Sequence, residues 1–111
     1  MAFKVGKQTE VTCDVKVNVP IDDGFREEKI RVTMSIQSAS VELENKNKLI
    51  AEGSQDVELD WLKQYTVKKV VGPEFDDGSA MSIADVLDIG WLRHPIVGKY
   101  YMTSQGLKTK N

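Results

Sequence analysis

The chain carries little with which to do chemistry. It has one histidine, His94, and one cysteine, Cys13, in 111 residues. A metal centre needs several such ligands, and a nucleophilic pair needs a base beside its nucleophile, so His94 would have to serve alone. A single cysteine excludes an intramolecular disulfide and fits a reducing compartment. Charge of one sign is lacking too. Lys and Arg number 15 against 17 for Asp and Glu, a net −2, which offers no field to hold nucleic acid or an anionic membrane. No apolar run approaches the ~20 residues that span a bilayer. The opening Met1-Ala2-Phe3-Lys4-Val5-Gly6-Lys7 has no signal-like stretch, so a soluble chain that stays in the cytoplasm is expected.

Acidic pairs occur twice, Asp22-Asp23-Gly24 and Asp76-Asp77-Gly78. Neither has the alternating carboxylates and terminal glutamate of a calcium loop, and turn chemistry accounts for both. The glycines are scattered and build no phosphate cradle. No metal, no cofactor and no catalysis are expected.

What is present is pattern. Val11, Cys13, Val15, Val17, Val19 and then Ile30, Val32, Met34, Ile36 alternate strictly with polar residues. Two such runs read as an antiparallel β-hairpin with one apolar face. The strands are expected over residues 9–19 and 28–37, joined by a loop over 20–28. Cys13 falls on the apolar face as a small hydrophobe. Asp14 is placed to pair with Lys29 or Arg31, and residues 3–5 could add a third strand. Phe25, just past the turn, either offers a contact or folds back over the hairpin edge.

Helical spacing follows. Ser40 is expected to cap a helix over 41–51 whose apolar residues are Val41, Leu43, Leu49 and Ile50, with Gly53 ending it. Asp56 caps a second helix carrying Val57, Leu59, Trp61, Leu62 and Tyr65, and residues 66–71 could leave it extended. Gly72-Pro73 stops that stretch, and 74–79 is a loop. Ser82 and Asp85 form a capping box for a third helix that Gly90 closes. Pro95 is expected to open a fourth, with Val97, Tyr100, Tyr101 and Ser104 as its stripe.

The fold class is therefore α+β: an N-terminal hairpin or three-stranded sheet packed by three or four C-terminal helices. The length suits one domain, with 1–37 the β part and 38–111 mainly helical. Trp61 is expected in the core. Trp91 and Tyr101 divide evenly between core and surface. With Tyr100, Leu107 and Phe25 they are the candidate partner-binding residues, because Trp and Tyr join an apolar body to a polar tip. Unpaired sheet edges suggest weak, concentration-dependent homo-oligomers.

Most of the chain also shows a family likeness. Val15-Lys16-Val17-Asn18-Val19-Pro20, then Asp56-Val57-Glu58-Leu59-Asp60-Trp61-Leu62, Val70-Val71-Gly72, Phe75-Asp76-Asp77-Gly78, Met81-Ser82, Tyr100-Tyr101 and the tail Lys108-Thr109-Lys110-Asn111 follow one another in order. That order resembles the tail assembly chaperones of long-tailed bacteriophages. The resemblance implies a non-catalytic protein of the bacterial host cytoplasm. It would coat the phage tape measure protein, keep its apolar helices soluble, and recruit tail tube subunits. A structural phage protein, such as a tail-completion or head–tail joining component, is the alternative.

Overall fold

The computed structural model describes residues 3–106; Leu107 and the basic tail lie outside the described residues. Strand β1 (Gln8–Ile21) pairs antiparallel with β2 (Gly24–Gln37) without a break, from Gln8 opposite Gln37 to Ile21 opposite Gly24. The turn is only Asp22-Asp23, so the loop expected over 20–28 is mostly strand. Asp22 and Asp23 both keep negative φ, and Gly24 alone carries the positive torsion, at 146°. A residue without Cβ is what lets so short a connection close. Pro20 is tolerated because β1 is an edge strand. Fourteen residues per arm give about 45 Å of strand, close to the molecule's longest dimension of 48 Å.

The third strand is not residues 3–5, where Phe3 and Val5 are exposed and no strand forms. It is β3 (Val67–Val71), the stretch expected to be extended, and it pairs antiparallel with β2 from Arg31 to Met34. Sheet order is β1-β2-β3. The register slips between Thr33 and Met34, where Lys68 is the extra residue of β3. Such a bulge lets Val67 and Val70, three apart, both reach the apolar face.

Helix α1 (Ala39–Ala51) is capped by Ser38, whose hydroxyl accepts from the Val41 N–H at 3.3 Å. The cap falls two residues before Ser40 because Ser38, the first residue past β2, still has extended torsions. Only Leu49 of α1 is buried, while Leu43 and Ile50 face solvent. Asp56 caps the short α2 (Val57–Trp61), accepting from Leu59 N–H at 3.1 Å. A π-helical turn over Leu62–Thr66 then leads directly into β3.

Gly72, at φ 124°, turns the chain against Ile30 of β2. After the loop, the Ser82–Asp85 capping box opens α3 (Ile83–Asp88) as the sequence predicts. Helix α4 (Gly90–Ser104) starts five residues earlier than Pro95. Ile89 is its N-cap, and its carbonyl takes the N–H groups of Leu92 and Arg93 at 3.0 and 2.8 Å. Burial of Leu92 and Ile96 on one face draws the helix through the proline. Pro95 gives up only its bond to the carbonyl four residues back.

One connected core joins sheet and helices. Val15, Val17, Ile30, Val32 and Met34 meet Trp61, Leu62, Val67, Val86, Leu87, Leu92, Ile96 and Tyr100. Cys13 is half-buried beside it, and that burial pushes its thiol pKa up. Among the described residues no helix is long and apolar enough to cross a membrane.

Candidate functional site

Two places gather five of the aromatic residues, and they differ in character. The first is a closed cluster where α1 and α4 meet. Trp61 and Tyr100 pack edge-to-face at 4.9 Å, and Tyr101 lies nearly parallel to Trp61 at 6.3 Å. The Lys46 ammonium sits 4.4 Å above the Trp61 ring, a cation–π contact. It also donates to Glu42 at 2.9 Å and to the Tyr101 hydroxyl at 3.2 Å, while Tyr101 donates to Glu42 at 3.3 Å. Tyr100 is fully buried, and its hydroxyl accepts from the Gln37 backbone N–H at 3.1 Å.

These contacts remove Tyr100 from the accessible surface and tie Tyr101 to α1. Two of the sequence-predicted partner-binding residues thus lock helices together. Residues 45–48 read as a purely polar stretch, yet Lys46 is the cation of this lock.

The lock has a pH signature. Burial pulls the Lys46 pKa down, but hydrogen bonds to Glu42 and Tyr101 and the charges on both outweigh it, so the net shift is upward. Burial raises the Tyr100 pKa, with the Gln37 N–H opposing it and the Glu42 charge adding to it. Both groups are raised on folding, so their contribution is complete below the unfolded values and lost as pH climbs through the folded ones. Thermal stability should be flat from about pH 7 to 9 and fall above about pH 10. Lys46→Met should lower the plateau and make the alkaline fall shallower, read as melting temperature by circular dichroism across pH.

The second place is open. The hairpin is longer than the helical layer that covers it, so its apolar face runs out from under the helices. Exposure rises along alternate residues of β1, from 2% at Val17 through half-buried Val19 to 50% at Ile21. A groove of about 610 Å³ fills the gap beneath. Its walls are Val17, Val19 and Pro20 from the hairpin, Phe75 and Met81 from the loop after β3, and Ile89 and Trp91 from the start of α4. Trp91 is 37% exposed and Phe75 is 42% exposed. Charges of both signs edge the groove: Arg26 and Lys29, with Glu28, Glu74 and Asp76. Arg26 and Glu28 approach to 3.9 Å on the hairpin face.

The structure thus brings Trp91 into this groove and sets Phe25 at the hairpin tip, 69% exposed. Phe25 does not fold back. It lies opposite Pro20, on the other face of the hairpin from Val19 and Ile21. Phe75 and Met81 are groove residues that sequence reasoning missed. The hint for Phe75 was a large aromatic inside an otherwise polar turn, Glu74 to Ser79. His94 is exposed on α4. Among the described residues no group of three His, Cys, Asp or Glu side chains is placed to hold a metal ion.

Comparison with known proteins finds no matching family model, no matching curated protein and no matching solved structure.

Proposed function

We propose that this chain is a non-catalytic assembly module that holds an apolar segment of a partner protein in the groove at the hairpin end. The observation behind this reading is the unfinished cover: Val19, Phe75, Met81 and Trp91 stay partly or largely exposed around one concave surface. Apolar side chains held at such a surface bind by removing apolar area from water, and Trp supplies the largest single anchor. The mixed charges at the edge suit an amphipathic helix, whose apolar stripe enters the groove while its polar flanks meet Arg26, Glu28 or Glu74.

Taken with the family resemblance, the partner is the tape measure protein of a long-tailed bacteriophage. The protein would then act as a tail assembly chaperone in the host cytoplasm, recruiting tail tube subunits to the coated tape measure. Capture of tape measure fragments by the purified protein tests this. Trp91→Ala and Phe75→Ala should each weaken capture about tenfold, the scale of a truncated interface anchor. Far-ultraviolet circular dichroism should stay unchanged, because both side chains are already partly in water. Undiminished capture by both variants would remove the groove from the reading. Finding the protein in purified particles would favour the structural-component alternative.

A further inference from the structure

Among the described residues no strand pairs with the outer edge of β1. β1 is the terminal strand of the sheet, and among the described residues the backbone hydrogen bonds outside the regular elements place no other segment against it. An open edge this long offers an unpaired row of N–H and C=O groups, which proteins normally blunt. Here the charges along the edge are arranged to match themselves.

We infer that β1 pairs antiparallel with the β1 of a second copy, about a two-fold axis at Val15, giving a continuous six-stranded sheet from two three-stranded ones. Two identical strands crossing a two-fold axis face each other in mirror order about the central residue. Centred on Val15, Asp14 of each copy lies opposite Lys16 of the other, so opposite charges meet twice. On the apolar face Val11 meets Val19, Cys13 meets Val17 and Thr9 meets Ile21, while Pro20, with no N–H to give the Glu10 opposite it, leaves the ladder one bond short at each end. Half-buried Val11, Cys13 and Val19, and half-exposed Ile21, all gain apolar neighbours.

Neighbouring registers do worse. Centring on Asp14 or on Lys16 sets that charge against itself, which is unfavourable. Centring on Cys13 pairs Lys16 with Glu10 but leaves Val19 and Ile21 beyond the overlap. Centring on Val17 makes no charge pair at all.

The hairpin itself supplies an independent reason. Its register sets Lys16 directly opposite Lys29, a like-charge pair. Lys16 reaches diagonally to Glu27 at 3.4 Å, while Asp14 meets Arg31 at 3.1 Å. The second copy's Asp14 would stand on the remaining side of Lys16 and offset Lys29. Across the dimer, Arg31 and Asp14 of one copy would then meet Lys16 of the second, which keeps its diagonal contact to its own Glu27. The charges that set the register, Asp14 and Lys16, lie outside the groove, although Val19 and Lys29 border it, so variants at those two positions test the dimer apart from the chaperone reading.

Sedimentation velocity on the full chain tests it. Wild type should pass from monomer to dimer as concentration rises. Asp14→Lys and Lys16→Asp should each weaken the dimer about tenfold or more, since each turns two attractive pairs into two repulsive ones. An equimolar mixture of the two variants should dimerise again, because the introduced lysine then faces an aspartate and the introduced aspartate faces a lysine. The double variant should also dimerise. Unchanged circular dichroism in each variant shows that exposed ion pairs, not the fold, have been altered. A wild type that stays monomeric at high concentration overturns the proposal, as do single variants that associate like wild type. Failure of the mixture to recover, or a Cys13–Cys13 crosslinked dimer under mild oxidation, overturns the register.

Discussion

Trp61→Ala is expected to cost about 3–5 kcal/mol, the usual range for emptying a buried aromatic site. A domain of this size has roughly 5–15 kcal/mol to lose, so the variant should be partly unfolded at room temperature. Three consequences of the structure set the effect at the upper end. The ring is fully buried and touches both Tyr100 and Tyr101. It carries the Lys46 ammonium on its face. Its Nε1–H donates to the Gln37 side-chain oxygen at 3.1 Å, so truncation leaves that buried oxygen with Asn45 alone as well as opening a cavity. Chemical denaturation followed by circular dichroism would show a lowered midpoint. Trp91 remains as a fluorescent reporter at the other end of the molecule. Trp61→Phe keeps most of the packing and loses the hydrogen bond, so it should cost about 1–3 kcal/mol. A wild-type midpoint in Trp61→Ala would show that the cluster does not hold α1 and α4 together.

The elements that could be read from sequence are those whose cause is local. Alternation in two runs specified the hairpin and its apolar face, and opposed charges placed Asp14 by Arg31. Asp56 and the Ser82–Asp85 box announced two helix starts because a cap is a contact within four residues. Where packing decides, local cues misled. Pro95 reads as a helix start, but burial of Leu92 and Ile96 sets the true start at Gly90. Residues 3–5 and 67–71 are both short and apolar, and only the second can reach β2, because the π-helical turn delivers it there.

The groove was legible only in part. Trp91 stood out by residue type, but Phe75 and Met81 join it through a loop whose path depends on Gly72 turning against Ile30. That the hairpin outruns its cover is a comparison of two lengths, and the second of them exists only once the helices are packed. Tyr100 and Trp91 looked alike in sequence. One lies beneath the sheet and the other at the end of the helical layer, because they sit on different faces of α4.

Gln37→Leu should be nearly as damaging as the loss of Trp61, at about 3 kcal/mol, although a single strand-end glutamine reads as unremarkable in sequence. By alternation Gln37 belongs to the polar face of β2, yet α1 and the π-helical turn close over it and it is buried. Its Nε2 donates to the Tyr65 carbonyl at 2.7 Å and its Oε1 accepts from Trp61 and from Asn45 Nδ2 at 3.3 Å. Tyr65 is in the turn before β3, where helical carbonyls have no partner within the helix, so Gln37 completes a chain end that would otherwise be unpaired. An apolar replacement of similar volume strands that carbonyl and the Trp61 N–H together. Because Trp61 and Gln37 share a bond, the double variant Trp61→Phe with Gln37→Leu should cost less than the two single losses added. Gln37→Glu adds a sign that a simple packing defect lacks. A carboxylate there would point an acceptor at the Tyr65 carbonyl, so burial and that contact should raise its folded pKa above the unfolded value of about 4.3. Stability held by the neutral acid is present below the unfolded value and lost as pH rises through the folded one. The deficit of Gln37→Glu against wild type should therefore grow from about pH 4 to pH 8, while that of Gln37→Leu stays level. Equal, pH-independent deficits in both variants would mean that the amide is not the hydrogen-bonding hub joining β2, α1 and the turn before β3.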